Sequence, residues 1–170
     1  MLSAADKFVV VAGRISVFIG HACAILLFAC VILSAAEVVL RYVFDRPTVW
    51  SFEVVMGLCA TVWVLSVGYV TQQKRHIAII MLELIVSKRT WNFLLLVQMI
   101  VAIFAISMLL WATYGPVVSS LTYLERSGSA FNPPLPAYLK SVLFIGGILY
   151  LLQLFANIII WFKTFMGRRG

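Results

Sequence analysis

The chain has 170 residues, of which 64% are hydrophobic and 11% charged, and its mean hydropathy is +1.07. Soluble domains are about 45–50% apolar and about 25% charged, so this composition excludes an ordinary water-soluble enzyme and indicates a bilayer as the solvent. The net charge of +7 does not indicate nucleic-acid binding, because the basic residues lie at the ends of apolar runs, where they set membrane orientation.

Four apolar runs are long enough to cross a bilayer, for which a helix needs about 20 residues. They cover residues 15–40, 49–70, 91–121 and 139–162, and with their loops they use the whole chain. We therefore predict an all-α integral membrane protein with four transmembrane helices, which forms a single membrane domain over residues 1–170.

The distribution of basic residues predicts the orientation of these spans. Nine lysines and arginines lie on the side of the two termini, whereas four lie on the opposite side: Arg41, Arg46, Arg126 and Lys140. Basic segments near spans remain in the cytoplasm. We therefore expect both termini inside, with the connections 41–53 and 125–140 outside.

The connection between the first two spans concentrates charge. Glu37 and Arg41 are four residues apart, in the order that favours an ion pair along a helix. Because the chain reverses after Arg41, Glu53 returns to a similar membrane depth, where an unpaired charge is costly. We predict an ion cluster of Glu37, Arg41 and Glu53. It either only clips the two helices together or also faces a protein partner.

The same connection contains further candidates. Thr48 or Ser51 is expected to cap the second helix with its side-chain oxygen, since both residue types accept hydrogen bonds from first-turn amides. Arg46 and Trp50 are candidates for contact with a partner protein.

Residues 77–86 form another apolar run, which is too short to span. Basic residues flank it on both sides, as is typical of helices that lie in the membrane interface. We predict a short interfacial helix between the second and third spans, with His76 at headgroup depth near its start as a further partner-interface candidate.

Two segments near the last span also bear on partners. The proline-containing loop that precedes this span includes Phe131 and Leu135, and it is either a docking surface or a plain connector. Within the span, Gln153 and Asn157 are four residues apart and require hydrogen-bonding neighbours in the apolar phase. Such neighbours come from another span or from a partner subunit.

Two other functional classes also consist of a few membrane helices. A haem-binding anchor of a redox enzyme needs two axial ligands that face each other across the helices. The chain has His21 and His76, but His76 lies outside the predicted spans in a basic segment. A proton-coupled exporter needs an acid near the membrane middle, whereas Glu37 lies near a membrane surface beside Arg41. We expect no catalytic residues, no substrate site, no cofactor and no metal.

Several short motifs follow one another along the chain: Arg41-Tyr42-x-Phe44, Trp50-x-x-Glu53, Gly68 followed by His76-Ile77, and Leu135-Pro136-Ala137-Tyr138 followed by Gly146. In this order the motifs resemble those of the small, four-helix Q-type subunit of tripartite ATP-independent periplasmic (TRAP) transporters. The similarity extends over nearly the whole chain. Phe52 stands where members often have a second acid, and Ile79-Ile80 stands where a polar residue is common.

The resemblance implies a secondary transporter of three parts in the bacterial inner membrane. A periplasmic binding protein delivers an organic anion to a large membrane subunit, which moves it together with sodium. The family suggests a sialic acid or a C4-dicarboxylate as substrate. The small subunit is then a scaffold that supports the large subunit, contacts lipid and helps to dock the binding protein.

Overall fold

The computed structural model describes residues 4–73 and 87–166. These residues form four helices, α1 (Ala4–Tyr42), α2 (Ser51–Gln72), α3 (Lys88–Thr122) and α4 (Leu135–Met166), and they include no strand. Each helix is long and apolar enough to cross a membrane. The prediction of an all-α protein with four membrane-spanning helices is therefore confirmed. Both the proposed interfacial helix and His76 lie outside the described residues.

Three of the helices exceed the predicted spans. α1 has 39 residues, α3 has 35 and α4 has 32, whereas α2 has only 22. At 1.5 Å per residue, α2 is about 33 Å long and α1 about 58 Å. A hydrocarbon core is about 30 Å thick, so α2 fits it closely while α1 tilts or extends beyond it.

The helices do not form a closed four-helix bundle. Helices α1, α2 and α4 pack against one another, whereas α3 contacts only α4 in the part of the chain that the structure describes. The molecule is thus a three-helix core with α3 on the outer side of α4. This arrangement leaves most of the apolar surface of α1 and α3 exposed, including Phe28, Phe104 and Trp111.

Glycines allow the close approach of the core helices. A Cβ atom built on Gly20 of α1 would lie 2.5 Å from Cγ of Tyr69 on α2. A Cβ atom on Gly146 of α4 would lie 2.2 Å from Cγ1 of Val64 on α2. Small residues at crossings let membrane helices gain van der Waals contact without a hydrophobic driving force between them.

Ion pairs join α4 to its neighbours at both ends. Lys163 in the last turns of α4 pairs with Asp6 in the first turn of α1. At the other end, Lys140 of α4 pairs with Glu125, which follows α3. The first and last described helical turns therefore lie on the same side of the molecule.

Candidate functional site

The turn between α1 and α2 is organised around the Glu37 carboxylate. Arg41 Nη2 donates to Glu37 Oε1 at 3.0 Å. Across the turn, Thr48 Oγ1 donates to Glu37 Oε2 at 2.6 Å, and the Thr48 backbone N–H donates to Oε1 at 3.3 Å. One carboxylate thereby joins the end of α1 to the segment that enters α2.

The backbone of the turn supports this contact. Arg46 N donates to Leu40 O at 2.9 Å, and Asp45 adopts a positive φ of 52°. Aspartate tolerates the left-handed region better than most residues, because its short polar side chain can bond locally. The chain can therefore reverse at Asp45 without a glycine.

Glu53 occupies a different environment from the one predicted. It is only 7% exposed, and its Oε2 is buried without a hydrogen-bond partner. No ion pair joins it to Arg41 among the residues described. Of the predicted cluster, the structure brings together Glu37 and Arg41, and Thr48 supplies the contact across the turn.

The expected side-chain cap of α2 is also absent. Trp50 is the N-cap residue and makes no side-chain cap hydrogen bond. The hydroxyl of Thr48 is occupied by Glu37, and Ser51 lies inside the helix with its buried Oγ unpartnered. The sequence predicted that the Thr48 side chain forms a hydrogen bond, and it does. Its partner is the Glu37 carboxylate and not a backbone amide in the first turn of α2.

The predicted partner-interface residues at this end differ in exposure. Arg46 is exposed, and Trp50 and Phe131 keep 40% and 44% of their surface. Leu135 is buried instead, and its Cδ1 would lie 3.2 Å from a Cβ atom on Gly57. Leu135 therefore packs α4 against α2 within the chain.

The loop between α3 and α4 is held by its own hydrogen bonds. Glu125 N donates to Ser120 O at 3.0 Å, which closes α3 with Leu124 at a positive φ of 46°. Asn132 then accepts twice, through Oδ1 from Gly128 N at 3.1 Å and through its backbone oxygen from Arg126 Nη1 at 3.0 Å. The loop thus presents a defined surface around Phe131.

Polar side chains join the helices in the interior. Ser16 Oγ of α1 donates to Oε1 of Gln153 on α4 at 2.8 Å, and Gln153 Nε2 donates to Asn157 Oδ1 at 3.1 Å. Gln153 is 2% exposed. The neighbour that Gln153 requires is therefore supplied by another span of the same chain, which sequence reasoning left open.

A second polar contact joins α2 to α4. Thr61 Oγ1 donates to its own helix at Gly57 O over 2.7 Å, which uses its only proton. The hydroxyl of Tyr138, 2.5 Å from Thr61 Oγ1, is then the donor in that pair. Nothing in the position of Thr61 within the second apolar run identified Tyr138 as its partner.

The cavity at the meeting point of the three core helices is too small for an organic substrate. The cavity between α1, α2 and α4, beside Ser16, Gly68 and Gln153, has a volume of about 20 Å³. Such a space holds about one water molecule. At this point the three helices are therefore in close contact with one another.

His21 takes part in local contacts. Its Nδ1 donates to Val17 O at 2.8 Å, and its ring centroid lies 6.4 Å from that of Tyr69. In the described residues, no three histidine, cysteine or acidic side chains are grouped so that they could hold a metal ion.

Comparison with known proteins gives one family. The model of the DctQ component of tripartite ATP-independent periplasmic transporters matches residues 30–164. No curated protein and no solved structure matches the chain. The matched region begins within α1 and includes α2, α3 and most of α4.

Proposed function

Because the chain belongs to the DctQ family of tripartite ATP-independent periplasmic (TRAP) transporter components, we propose that it is the stationary scaffold of such a transporter. It is a small TRAP-type membrane subunit and a multi-pass membrane protein. In this proposal it supports a large membrane subunit in the bacterial inner membrane, and the large subunit alone binds and moves the substrate.

The closed interior is the observation that carries the scaffold proposal. Gly20 and Gly146 are in close contact with neighbouring helices, and the cavity beside Ser16 and Gln153 measures only about 20 Å³. The space beside Ser16 and Gln153, where α1, α2 and α4 meet, is too small for an organic anion. It has extensive apolar surface instead, which is suited to lipid and to the helices of another membrane subunit.

We propose that the large subunit packs on the exposed apolar surface of the small one. Within its most apolar stretch, α3 has no buried residue, and Phe104 and Trp111 lie seven residues apart on one face of it.

Gln153 is enclosed by the chain itself, and Asn157 is partly buried beside it. We therefore assign these two residues to the internal framework that supports this surface.

We further propose that the periplasmic binding protein contacts the end formed by the two described connections. This end contains the exposed Arg46, Trp50 and Phe131, and both connections are held by hydrogen bonds. Pre-ordered loops lose less entropy when they bind. A contact at Arg46 would be weakened by salt, as exposed charge contacts are.

We propose the substrate and the coupling ion on the family resemblance alone. The proposed transporter imports an organic anion, a sialic acid or a C4-dicarboxylate, together with sodium. Both termini of the small subunit then lie in the cytoplasm, as the excess of basic residues on that side indicates.

Co-purification tests the scaffold proposal. The tagged chain, extracted from its native membrane in mild detergent, should recover a much larger multispan protein in equal amount. If only a soluble dehydrogenase or no partner is recovered, the proposal fails.

Uptake measurements test the docking surface. Arg46→Glu should reduce uptake by reconstituted vesicles while recovery of the large subunit is unchanged. Lys7→Glu, which reverses a charge in the first described turns of α1, is the matched control and should leave docking unaffected. Loss of the large subunit from Arg46→Glu would instead assign Arg46 to assembly.

A further inference from the structure

A groove runs along α1 where it passes the end of α2. Its apolar wall is formed by Val9, Val10, Val17 and Phe18, and it has a volume of about 530 Å³. It is shallow and broadly open, and among the described residues its lining comes from α1 and from Gln72 of α2. The groove faces the surroundings of the chain, which for a protein with four membrane-spanning helices include lipid.

Two polar side chains in the groove have unused hydrogen-bonding capacity. Arg14 is exposed and forms no ion pair among the described residues. Gln72 lines the groove, and its Oε1 is buried without a hydrogen-bond partner. The terminal torsion of a glutamine is soft, so a turn of the amide presents this oxygen to a ligand.

The depth of these groups follows from helix lengths. α2 is about 33 Å long and matches a hydrocarbon core of about 30 Å, so its last residue, Gln72, lies at a membrane surface. A Cβ atom on Gly13 would lie 3.2 Å from Gln72 Nε2, which places Arg14 at the same depth. His21, at the other end of the groove, is seven residues further along α1 and about 10 Å deeper.

We propose that this groove binds one membrane glycerophospholipid. Arg14 holds the phosphate, because guanidinium groups form strong, charge-assisted hydrogen bonds to phosphate oxygens. The headgroup donates an N–H to Gln72 Oε1, and the first part of an acyl chain lies along Val17 and Phe18. An ethanolamine headgroup has the required donor, whereas a choline headgroup has none.

The test is native mass spectrometry of the full chain. The delipidated protein is titrated in detergent with phosphatidylethanolamine or phosphatidylcholine of identical acyl chains. We expect one phosphatidylethanolamine per chain, bound about tenfold more tightly than phosphatidylcholine, and a loss of about tenfold in Arg14→Gln. Gln72→Leu should abolish the preference between the two headgroups.

Two further variants keep the test decisive. Arg46→Gln removes the same charge at the opposite end and should bind lipid like the unmodified chain. Val10→Trp fills the groove from an exposed position, and it should lose the lipid although Arg14 is intact. Circular dichroism verifies the helical content of each variant.

Three results would overturn the proposal. Arg14→Gln could bind lipid as well as Arg46→Gln does, or both headgroups could bind equally. Alternatively, glycerophosphoethanolamine, which has no acyl chains, could displace the lipid completely at equal concentration, which would make the groove a site for a soluble phosphate compound.

Discussion

Ser16 and Gln153 form a hydrogen bond of 2.8 Å that joins the first and last helices in the interior of the protein. The contact is shielded, since Ser16 is 7% and Gln153 2% exposed. It ties α1 to α4 at the point where both also contact α2, beside Gly68. The stability of the three-helix core therefore depends on polar as well as small residues.

Ser16→Ala should destabilise the core because it leaves Gln153 Oε1 without its donor. Interhelical hydrogen bonds in membranes contribute about 0.6 kcal/mol on average and up to about 1.7 kcal/mol. The measurement is unfolding in mixed detergent and dodecyl sulfate micelles, followed by circular dichroism. Ser66→Ala is the control, since Ser66 bonds only to Trp63 O of its own helix at an exposed position. Equal stability of the two variants would contradict the prediction.

Gly146→Ala and Gly20→Ala should each weaken helix packing, because the new Cβ atom would lie 2.2 Å from Val64 Cγ1 or 2.5 Å from Tyr69 Cγ. Overpacking of this kind costs about 1–3 kcal/mol. Gly115→Ala is the matched control, with no atom within 4 Å of its Cβ. That variant should be neutral or more stable by up to about 1 kcal/mol, since alanine favours helix interiors. The same unfolding assay would contradict this prediction if all three variants behaved alike.

Thr48→Val should loosen the turn between α1 and α2, because it removes the 2.6 Å hydrogen bond to Glu37 Oε2. Arg41→Gln should have a smaller effect, since the Arg41 side chain is 51% exposed and exposed ion pairs contribute little. Hydrogen exchange of the amides in residues 43–50 is the measurement. We expect several-fold faster exchange in Thr48→Val. Faster exchange in Arg41→Gln than in Thr48→Val would contradict the conclusion that Thr48 is the main residue holding the turn.

Asn132 should control the order of the loop between α3 and α4, because its side chain accepts from Gly128 N and its backbone has a positive φ of 50°. Asn132→Gly removes the hydrogen bond but tolerates this backbone conformation, whereas Asn132→Ala loses both. Exchange of the Gly128 amide should increase in both variants, and more in Asn132→Ala. Unchanged exchange in both would show that Arg126 and the backbone hydrogen bonds hold the loop without this side chain.

The four membrane-spanning helices could be predicted from the sequence, because a bilayer demands long apolar segments whose backbone groups bond internally. The same logic identified the ion pair of Glu37 with Arg41, since both residues lie on one helix and their spacing fixes their geometry. The order of the short motifs also led to the family. These features depend on local chemistry or on the solvent. None of them requires knowledge of how the helices pack.

The contacts between helices were decided only by the tertiary structure. Glu53 was predicted to join Arg41 from its place in the reversing chain, but the rotation of α2 buries its carboxylate, and Thr48 bonds to Glu37 across the turn instead. Two other features could not be predicted from the sequence either. Gln153 bonds to Ser16, and α3 lies at the periphery of the molecule. Hydropathy specifies which segments enter the membrane, whereas small residues and the rotation of each helix about its axis specify which faces meet.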